Sequence, residues 1–442
     1  MNIKNAHVAV IGGGCAGLST AVTLLDRGIK VTLFEAGSQL GGRARTVAVE
    51  NNNLLHLLDN GQHMLIGAYR ETLKLLDKVG VDEKIAFLRM PMQMNMHSNS
   101  ENSEFSLKSA HYLPAPLNLL TGLLFCSGLS FSERIAAVKL MAYLRKIKYK
   151  TSIDRPLGQF LIDQQQNVRL IELLWEPLCL AALNTPTAIA STRIFLNILR
   201  DSFTGHKNNS DFLLPRLDLS QVLSQPLSHY IQSKGGVIHL NTRIIGIKPE
   251  TDGFNLAMRN TASFFSHVVI AASSANVDKL LVPLPKLKNS LDYIQTYQYQ
   301  PIYTIYLQYP PETKLPRVMT GLIGTTAQWV FDRGQLCGQL GLFAAVVSAQ
   351  GSHQQLTQDD LALVIARELD HAFAGLPQPL WYKVIAEKRA TFSCISNLSR
   401  PTIRTPQAGL FLAGDYTYAD YPATIEGAIR SGIRCADIIA NS

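Results

Sequence analysis

The amino-acid sequence predicts an α/β fold in which distant segments of the chain build one domain. Three observations predict it: a glycine turn between an apolar strand and a helix near the N-terminus, a run of short strands that closes at residues 268–272, and a strand–turn–helix unit at the C-terminus. With 442 residues, the chain is also long enough for a second domain.

The first unit is the segment HVAVIGGGCAGLSTAVTLLDRGIKVTLFEA. Its apolar, β-branched start predicts a strand over His7–Ile11, and the glycines that follow predict a turn. A helix is expected from about Cys15 to just before Gly28, and a second strand over Lys30–Phe34. A strand, a glycine turn, a helix and a strand in this order form a Rossmann-like unit.

The glycines of this turn have separate physical roles. Gly12 permits the tight turn, Gly14 lets the backbone approach a pyrophosphate, and Gly17 lets the helix pack closely on the strand. Free amide groups and the dipole at the helix N-terminus favour the phosphates. Glu35 follows at about the 20-residue distance at which a carboxylate accepts hydrogen bonds from the adenosine ribose. The four residues together predict a dinucleotide site.

The segment SQLGGRART indicates which dinucleotide is bound. Gly42, the second glycine of its pair, allows another close backbone approach, and Arg43 can bind a phosphate or the polar chain of a flavin. A GxGxxG turn, an acidic residue and then GGR resemble the FAD-binding start of the flavin amine oxidase and phytoene desaturase superfamily. This resemblance implies FAD as the cofactor.

The C-terminal unit, GLFLAGDYTYADYPATIEGAIRSGIRCADII, predicts a strand that ends at Ala413 and a helix from about Thr424. In similar flavoproteins a Gly–Asp pair at this place holds the ribityl-phosphate portion of FAD, which implies that role for Gly414 and Asp415. The N-terminus of the following helix, at Thr424 and Ile425, is then expected to point at the pyrimidine edge of the flavin, where negative charge collects on reduction.

The middle unit extends over residues 235–273 as short strands separated by turns. In similar flavoproteins such a segment binds the adenine through backbone atoms of the residue that matches Ile244. We therefore expect a discontinuous Rossmann-like FAD-binding domain with an inserted α+β substrate domain. The expected FAD-binding segments are 1–68, 215–283 and 388–442. The expected substrate domain comprises 69–214, mostly helical, and 284–387, which contains a sheet.

An unusually apolar stretch, Tyr112–Ser130, lies within the first inserted segment. Its prolines and glycines and its marginal length make it a poor transmembrane helix. A helical segment with a basic end follows it, at residues 145–150. Two interpretations remain open: the stretch lines an apolar tunnel, or residues 112–150 make peripheral contact with a membrane that presents anionic headgroups.

Four further segments point to a closer resemblance: LDNGQHMLIGAYRETLKLL, LLWEPLCLAALNTP, FLNILRDSF and FLLPRLDLS. Together they are similar to the hydroxysqualene dehydroxylases, the squalene-associated flavoproteins of bacterial hopanoid synthesis, and the resemblance covers most of the chain. It implies an apolar isoprenoid substrate, hydroxysqualene, which loses its hydroxyl group reductively and becomes squalene. Hydride would pass from reduced flavin to an allylic carbon as water leaves.

This chemistry requires a proton donor and a pocket that tolerates an allylic cation. His63, in the DNGQH loop with Gly61, is the expected donor because a histidine can donate near neutral pH and the matching loop in relatives approaches the flavin. In amine oxidases of the superfamily, aromatic residues just before the last helix face the flavin, and this resemblance implies that place for Tyr421, where an aromatic face would stabilise a cation. Asp59 is expected to orient the loop backbone or to face the flavin, and the other candidate acids are Asp420 and Glu176.

Three other functions remain open at this point. The fold also suits an oxidative desaturase of a polyisoprenoid, which would pass electrons to an acceptor. An amine oxidase is less well matched, because the inserted segments are apolar and no acidic cluster recruits a cationic substrate. The third alternative is a scaffold protein that binds flavin and catalyses no reaction. No second GxGxxG is visible, so electrons are expected from an external donor or from the substrate.

The composition of the chain limits which cellular compartment and which binding partners we expect. The net charge of +8 suits anionic lipid or nucleic acid, but the basic residues are mostly dispersed and no nucleic-acid motif is present. The six cysteines form no CxxC pair and the histidines no HxxxH or HExxH pair, so we expect no metal and a reducing cytoplasm. The apolar run from Ala6 is interpreted as a strand rather than a signal peptide. We expect a cytoplasmic enzyme, with possible contact at the inner face of the cytoplasmic membrane.

Overall fold

The computed structural model describes residues 6–51, 53–98 and 103–442. The strands within these residues, in chain order, are β1 (His7–Ile11), β2 (Lys30–Phe34), β3 (Thr46–Asn51), β4 (Leu54–Asp59), β5 (Leu65–Ile66), β6 (Phe87–Met90), β7 (Gln93–Ser98), β8 (Ser103–Lys108), β9 (Phe212–Pro215), β10 (Val237–His239), β11 (Gly246–Glu250), β12 (Gly253–Ala257), β13 (Ala262–Phe265), β14 (His267–Ile270), β15 (Tyr299–Gln308), β16 (Met319–Ile323), β17 (Trp329–Asp332), β18 (Leu342–Ser348), β19 (Trp381–Phe392) and β20 (Leu410–Leu412).

The α-helices of the same residues are α1 (Cys15–Asp26), α2 (Arg70–Lys78), α3 (Glu83–Ala86), α4 (Leu117–Leu124), α5 (Phe131–Lys146), α6 (Leu157–Asp163), α7 (Val168–Leu170), α8 (Glu176–Leu183), α9 (Thr192–Phe203), α10 (Gln225–Ser233), α11 (Asp278–Leu281), α12 (Lys288–Gln295), α13 (Arg333–Cys337), α14 (Gln358–Phe373) and α15 (Ile425–Ala440). No helix in the described ranges combines the length and the apolar character needed to cross a bilayer.

A five-stranded parallel sheet joins segments from both ends and the middle of the chain. Its strand order is β10-β2-β1-β14-β20. The central strand β1 and its neighbour β14 are apolar and β-branched, with Val10 opposite Val269, and both residues are fully buried. Strands covered on both faces have this composition because neither face meets water. The α/β fold predicted from the glycine turn and the C-terminal unit is therefore confirmed.

Helix α15 packs on α1 with backbone nearly touching backbone. A Cβ on Gly432 would lie 2.3 Å from the carbonyl oxygen of Ala16, so only glycine fits there. The hydroxyl of Thr20 donates to the carbonyl of Gly432 at 3.2 Å, and the hydroxyl of Ser19 donates to that of Ile429 at 3.4 Å. The contact fixes the C-terminal helix beside the N-terminal glycine turn, although the two are separated by most of the chain.

The two inserted segments share one seven-stranded sheet, of order β19-β15-β18-β17-β16-β7-β8. Its strands β7 and β8, together with β6, lie within the segment 69–214 that was expected to be mostly helical. The alternation of buried Met92, Met94 and Met96 with less buried polar neighbours has the period of a strand, a signal that the helical expectation missed. Strand β7 pairs parallel with β16, which links the two inserted segments directly.

Candidate functional site

The loops that follow four strands of the parallel sheet leave it at one edge. Because the strands are parallel, their carboxyl ends meet there, where open α/β sheets bind ligands. Backbone hydrogen bonds continue the sheet past the strand ends, from the amides of Glu35, Gly12, Ala271 and Ala413 to the carbonyls of His239, Phe34, Ile11 and Ile270 at 2.8, 2.8, 2.8 and 2.9 Å. The N-terminal glycine turn and the C-terminal Gly–Asp pair thus lie at the same edge.

The three glycines of the turn differ in what the fold requires of them. Gly12 has φ +116°, and a Cβ there would lie 2.7 Å from the carbonyl oxygen of Ala271. A Cβ on Gly17 would lie 1.9 Å from the carbonyl oxygen of Gly12. A Cβ on Gly14 would meet no atom within 4 Å, and Gly14 precedes α1 without a side-chain cap. The space in front of Gly14 and the uncapped helix start fit a bound pyrophosphate.

The adenosine end of the predicted site is organised around Glu35. Its carboxylate accepts hydrogen bonds from the amides of Gly13 at 2.8 Å and Gly37 at 2.7 Å, which tie it to the glycine turn. The amide of Thr242 donates to the carbonyl of Glu35 at 2.8 Å. That bond brings the loop of Ile244, a buried residue two positions further on, beside Glu35. The predicted ribose and adenine residues therefore lie together.

The GGR segment contacts both ends of the chain. A Cβ on Gly42, which has φ +60°, would lie 3.3 Å from the Cα of Gly14, so the two glycines approach closely. The guanidinium of Arg43 donates to the carboxylate of buried Asp415 and to the carbonyl of Ala390, both at 2.7 Å. Burial opposes the charge on Arg43, but the carboxylate of Asp415 outweighs it and raises the pKa of Arg43. A fixed positive charge thus lies beside the glycine turn.

The C-terminal turn is held by hydroxyl groups. The amide of Gly414 donates to the hydroxyl oxygen of Ser431 at 2.9 Å, and the hydroxyl of Thr417 donates to the carbonyl of Gly414 at 2.9 Å. Thr424 caps α15 by accepting from the amide of Gly427 at 3.0 Å, and Ile425 is the first residue of that helix. The structure thus brings Gly12, Gly14, Gly42, Arg43, Gly414 and Asp415 to one edge, and their roles toward FAD stay predictions.

The loop Asp59–His63 leaves the end of β4. Gly61 has φ +138°, which favours glycine, and its carbonyl accepts from Nδ1 of His63 at 2.8 Å. Since a carbonyl only accepts, the neutral imidazole has its proton on Nδ1 and a free lone pair on Nε2. Burial lowers the pKa of His63, so the neutral form dominates at neutral pH. His63 can therefore donate a proton from Nε2 only in its minority, protonated state.

A buried cation that sequence reasoning missed holds this loop. Arg333, at the start of α13, donates to the side-chain oxygen of Gln62 at 2.7 Å and lies 3.7 Å from the carboxylate of Asp59. Asp59 also accepts from the amide of Leu219 at 2.8 Å. Burial raises the pKa of Asp59, against the opposing effect of Arg333. The segment FDRGQL gave no signal for this contact, because it joins residues on separate elements.

Tyr421 is buried, and its polar contacts are already made within the chain. Its hydroxyl donates to the carboxylate of Asp201 at 2.6 Å, and the guanidinium of Arg430 lies 4.4 Å from its ring centroid. Burial raises the pKa of Tyr421 far above its ordinary value, and Asp201 adds to the effect. One face of the ring is thus covered by a cation. Contact between the other face of the Tyr421 ring and the substrate stays a prediction.

The two remaining candidate acids have different surroundings. Glu176 accepts from the amide of Thr187 at 3.0 Å and from the hydroxyl of the same residue. Asp420 is exposed. Glu176 is thus committed to Thr187 and Asp420 faces water, so neither is placed as a general acid in an apolar pocket.

Comparison with known proteins identifies the family. The family model described as flavin-containing amine oxidoreductase matches residues 15–440. The chain belongs to this family. It is an FAD-dependent oxidoreductase.

Individual relatives are more distant. The chain is 26% identical to a hydroxysqualene dehydroxylase of Zymomonas mobilis over 97% of this chain and 98% of that protein. It is 24% identical to a 15-cis-phytoene desaturase of Glycine max over 99% of this chain and 80% of that protein. A solved oxidoreductase structure from Methanosarcina mazei has a TM-score of 0.75 at 16% identity, covering 98% of this chain and 100% of that one. At that identity the similarity supports the fold alone.

Proposed function

We propose that this enzyme removes the hydroxyl group of hydroxysqualene reductively and releases squalene. The observation that carries the proposal is the end-to-end alignment with a hydroxysqualene dehydroxylase, over 97% of this chain and 98% of that protein. The 15-cis-phytoene desaturase of Glycine max is aligned over only 80% of its length. The sequence segments around His63 and Trp175 support the same assignment.

The surroundings of the loop Asp59–His63 suit a hydrocarbon substrate. Leu58 and Tyr306, next to the loop, belong to one apolar cluster. The same cluster includes the aromatic residues Trp175, Phe195 and Tyr421. We infer that a substrate bound against this cluster would be shielded from water and would meet aromatic faces that stabilise a developing allylic cation. The carboxylate in this loop, Asp59, lies 3.7 Å from the guanidinium of Arg333, which would oppose the binding of a cationic amine.

The reaction needs a proton at the departing oxygen and a hydride at carbon. The C–O bond breaks as the oxygen takes a proton and leaves as water. Bound and reduced, FAD supplies hydride to the allylic carbon. The chain offers two proton sources in one loop, Nε2 of protonated His63 and the carboxyl of Asp59, whose pKa burial raises. Arg333 contacts Asp59 directly, and it reaches the segment of His63 only through the preceding residue, Gln62.

Anaerobic turnover tests the proposal directly. Purified, FAD-loaded enzyme is reduced with dithionite, hydroxysqualene is added, and products are separated by mass. Squalene should form only with reductant, which also means that an external electron donor serves the enzyme. The matched control is the same protein left oxidised.

The second candidate is an oxidative polyisoprenoid desaturase, which the phytoene desaturase relative favours. It predicts the opposite requirement: oxidised enzyme with an electron acceptor should introduce double bonds into phytoene, and reduced enzyme should be inert toward hydroxysqualene. That pair of results would reject the dehydroxylase proposal. Release of peroxide from polyamines would reject both in favour of an amine oxidase.

A further inference from the structure

Helix α4 has apolar residues on its outward face as well as on its buried face. Leu119 and Leu123 point into the core at 4% and 2% exposure. Leu117, which is 49% exposed, and the half-buried Leu120 and Leu124 lie at helical spacing on the other side, where a surface helix normally places polar residues, although Leu120 also packs against the core. Thr121 is the polar side chain on this side, and its hydroxyl donates to the carbonyl of Leu117 at 2.8 Å, so the outward face of α4 is mostly apolar.

Large aromatic side chains extend this face at both ends of α4. Phe125, which ends the helix, is 83% exposed, and Phe131 at the start of α5 is 76% exposed. Tyr112, before α4, is 76% exposed. The guanidinium of Arg134 donates to the carbonyls of Leu124 at 3.4 Å and Leu129 at 3.0 Å, which ties the two helix ends together. Phe125 and Phe131 therefore lie on helix ends that are fixed to each other.

The same stretch of chain is strongly basic. Between residues 105 and 153 the sequence has seven lysines and arginines and one acidic residue, Glu133. Glu133 is buried, accepts from the amide of Ser130 at 2.7 Å and pairs with Arg169 at 3.2 Å, so it does not offset the surface charge. The exposed cations of α5 and the turn after it are Lys139, Arg145, Lys146, Lys148 and Lys150.

We propose that this surface docks the enzyme on an anionic phospholipid bilayer. The docking surface comprises the outward leucines of α4, the rings of Tyr112, Phe125 and Phe131, and the exposed cations of α5 and its following turn. Exposed aromatic and aliphatic groups beside a net positive charge match the interfacial zone of a membrane, whose headgroups are negative. The inference does not depend on which substrate the enzyme takes.

Vesicle flotation of the FAD-loaded, full-length protein tests the proposal. Wild-type protein should float with vesicles that contain phosphatidylglycerol and much less with pure phosphatidylcholine. Phe125→Ser with Phe131→Ser should weaken binding about tenfold or more for each ring removed. Arg145→Gln with Lys146→Gln should weaken it about fivefold per residue and flatten its dependence on salt.

A matched control is Phe264→Ser, which removes a 50% exposed phenylalanine from β13, a strand that is not part of the docking surface. It should leave flotation unchanged. Retained flavin absorbance and an unchanged melting temperature show that each variant is folded. Three results would overturn the proposal: wild-type protein that does not float with anionic vesicles, equal losses for Phe264→Ser and the double serine variant, or a wild-type dimer that the double variant converts to a monomer without any effect on vesicles.

Discussion

The glycine turn Gly12–Gly17 and the loop Asp59–His63 differ in the kind of contact that shapes them. The turn is defined by backbone geometry: a positive φ at Gly12, an uncapped helix start at Gly14, and a carboxylate only 22 residues away. The loop is defined by side chains far along the chain, above all Arg333, 271 residues from Gln62. Substitutions in the turn should therefore change cofactor retention, and substitutions around the loop should change stability and turnover.

The largest effect of any substitution is expected for Gly14→Val, which should abolish the binding of FAD. The fold has room for the side chain, since a Cβ at Gly14 meets no atom within 4 Å, but that room is where the pyrophosphate is predicted to lie. The variant should fold, as measured by circular dichroism, and purify without flavin, as measured by the loss of visible flavin absorbance.

Gly17→Val provides the contrast within the same turn. The Cβ of the new valine would lie 1.9 Å from the carbonyl oxygen of Gly12. This variant should therefore fail to fold, rather than fold without bound flavin. A Gly14→Val protein that is yellow and fully loaded would contradict the predicted position of the pyrophosphate.

Arg333→Met tests the loop independently of the glycine turn, because it should change stability and turnover and leave FAD binding intact. The substitution leaves the carboxylate of Asp59, only 2% exposed, without its buried cation, and the free energy of unfolding should fall by about 3–5 kcal/mol. Turnover should fall while FAD is retained. Urea unfolding of the loaded protein measures the first effect. Arg317→Met, at an exposed pair with Glu104, is the control and should cost less than about 1 kcal/mol. Equal costs would refute the assigned role.

The same contrast explains what the sequence could predict. The bounds of β1 and β2 agree with the predicted strands, because strand and turn signals are local and glycine spacing is fixed by the turn itself. Arg333, Asp201 and Arg430 were not predicted. Arg333 and Asp201 each act across more than 200 residues of sequence on a partner in the site, and a single arginine or aspartate has no periodicity that would reveal such a contact. Arg430 follows Tyr421 closely in sequence, but its position over the tyrosine ring depends on how the chain turns into α15.

His63→Gln should reduce turnover by about 100-fold if His63 is the proton donor. Because burial lowers its pKa from 6.5, wild-type kcat/KM should rise as pH falls through that lowered value, and the variant should lose this limb. Stability has the opposite sign: the unfolded chain binds the proton more readily, so His63 makes the fold less stable as pH falls below 6.5. The exposed His229→Gln is the control. A wild-type pH profile that survives in His63→Gln would assign the donor elsewhere, with Asp59 next.

The smallest effect is expected for Tyr421→Phe. Asp201 loses the hydroxyl donor but keeps Arg200 at 2.9 Å, so the free energy of unfolding should fall by only about 1 kcal/mol. Turnover should change less than about tenfold, because the ring that would face an allylic cation remains. Tyr421→Leu removes the ring as well and should reduce kcat further, without loss of FAD. If the two variants lose kcat equally, the hydroxyl and its bond to Asp201 matter rather than the aromatic face.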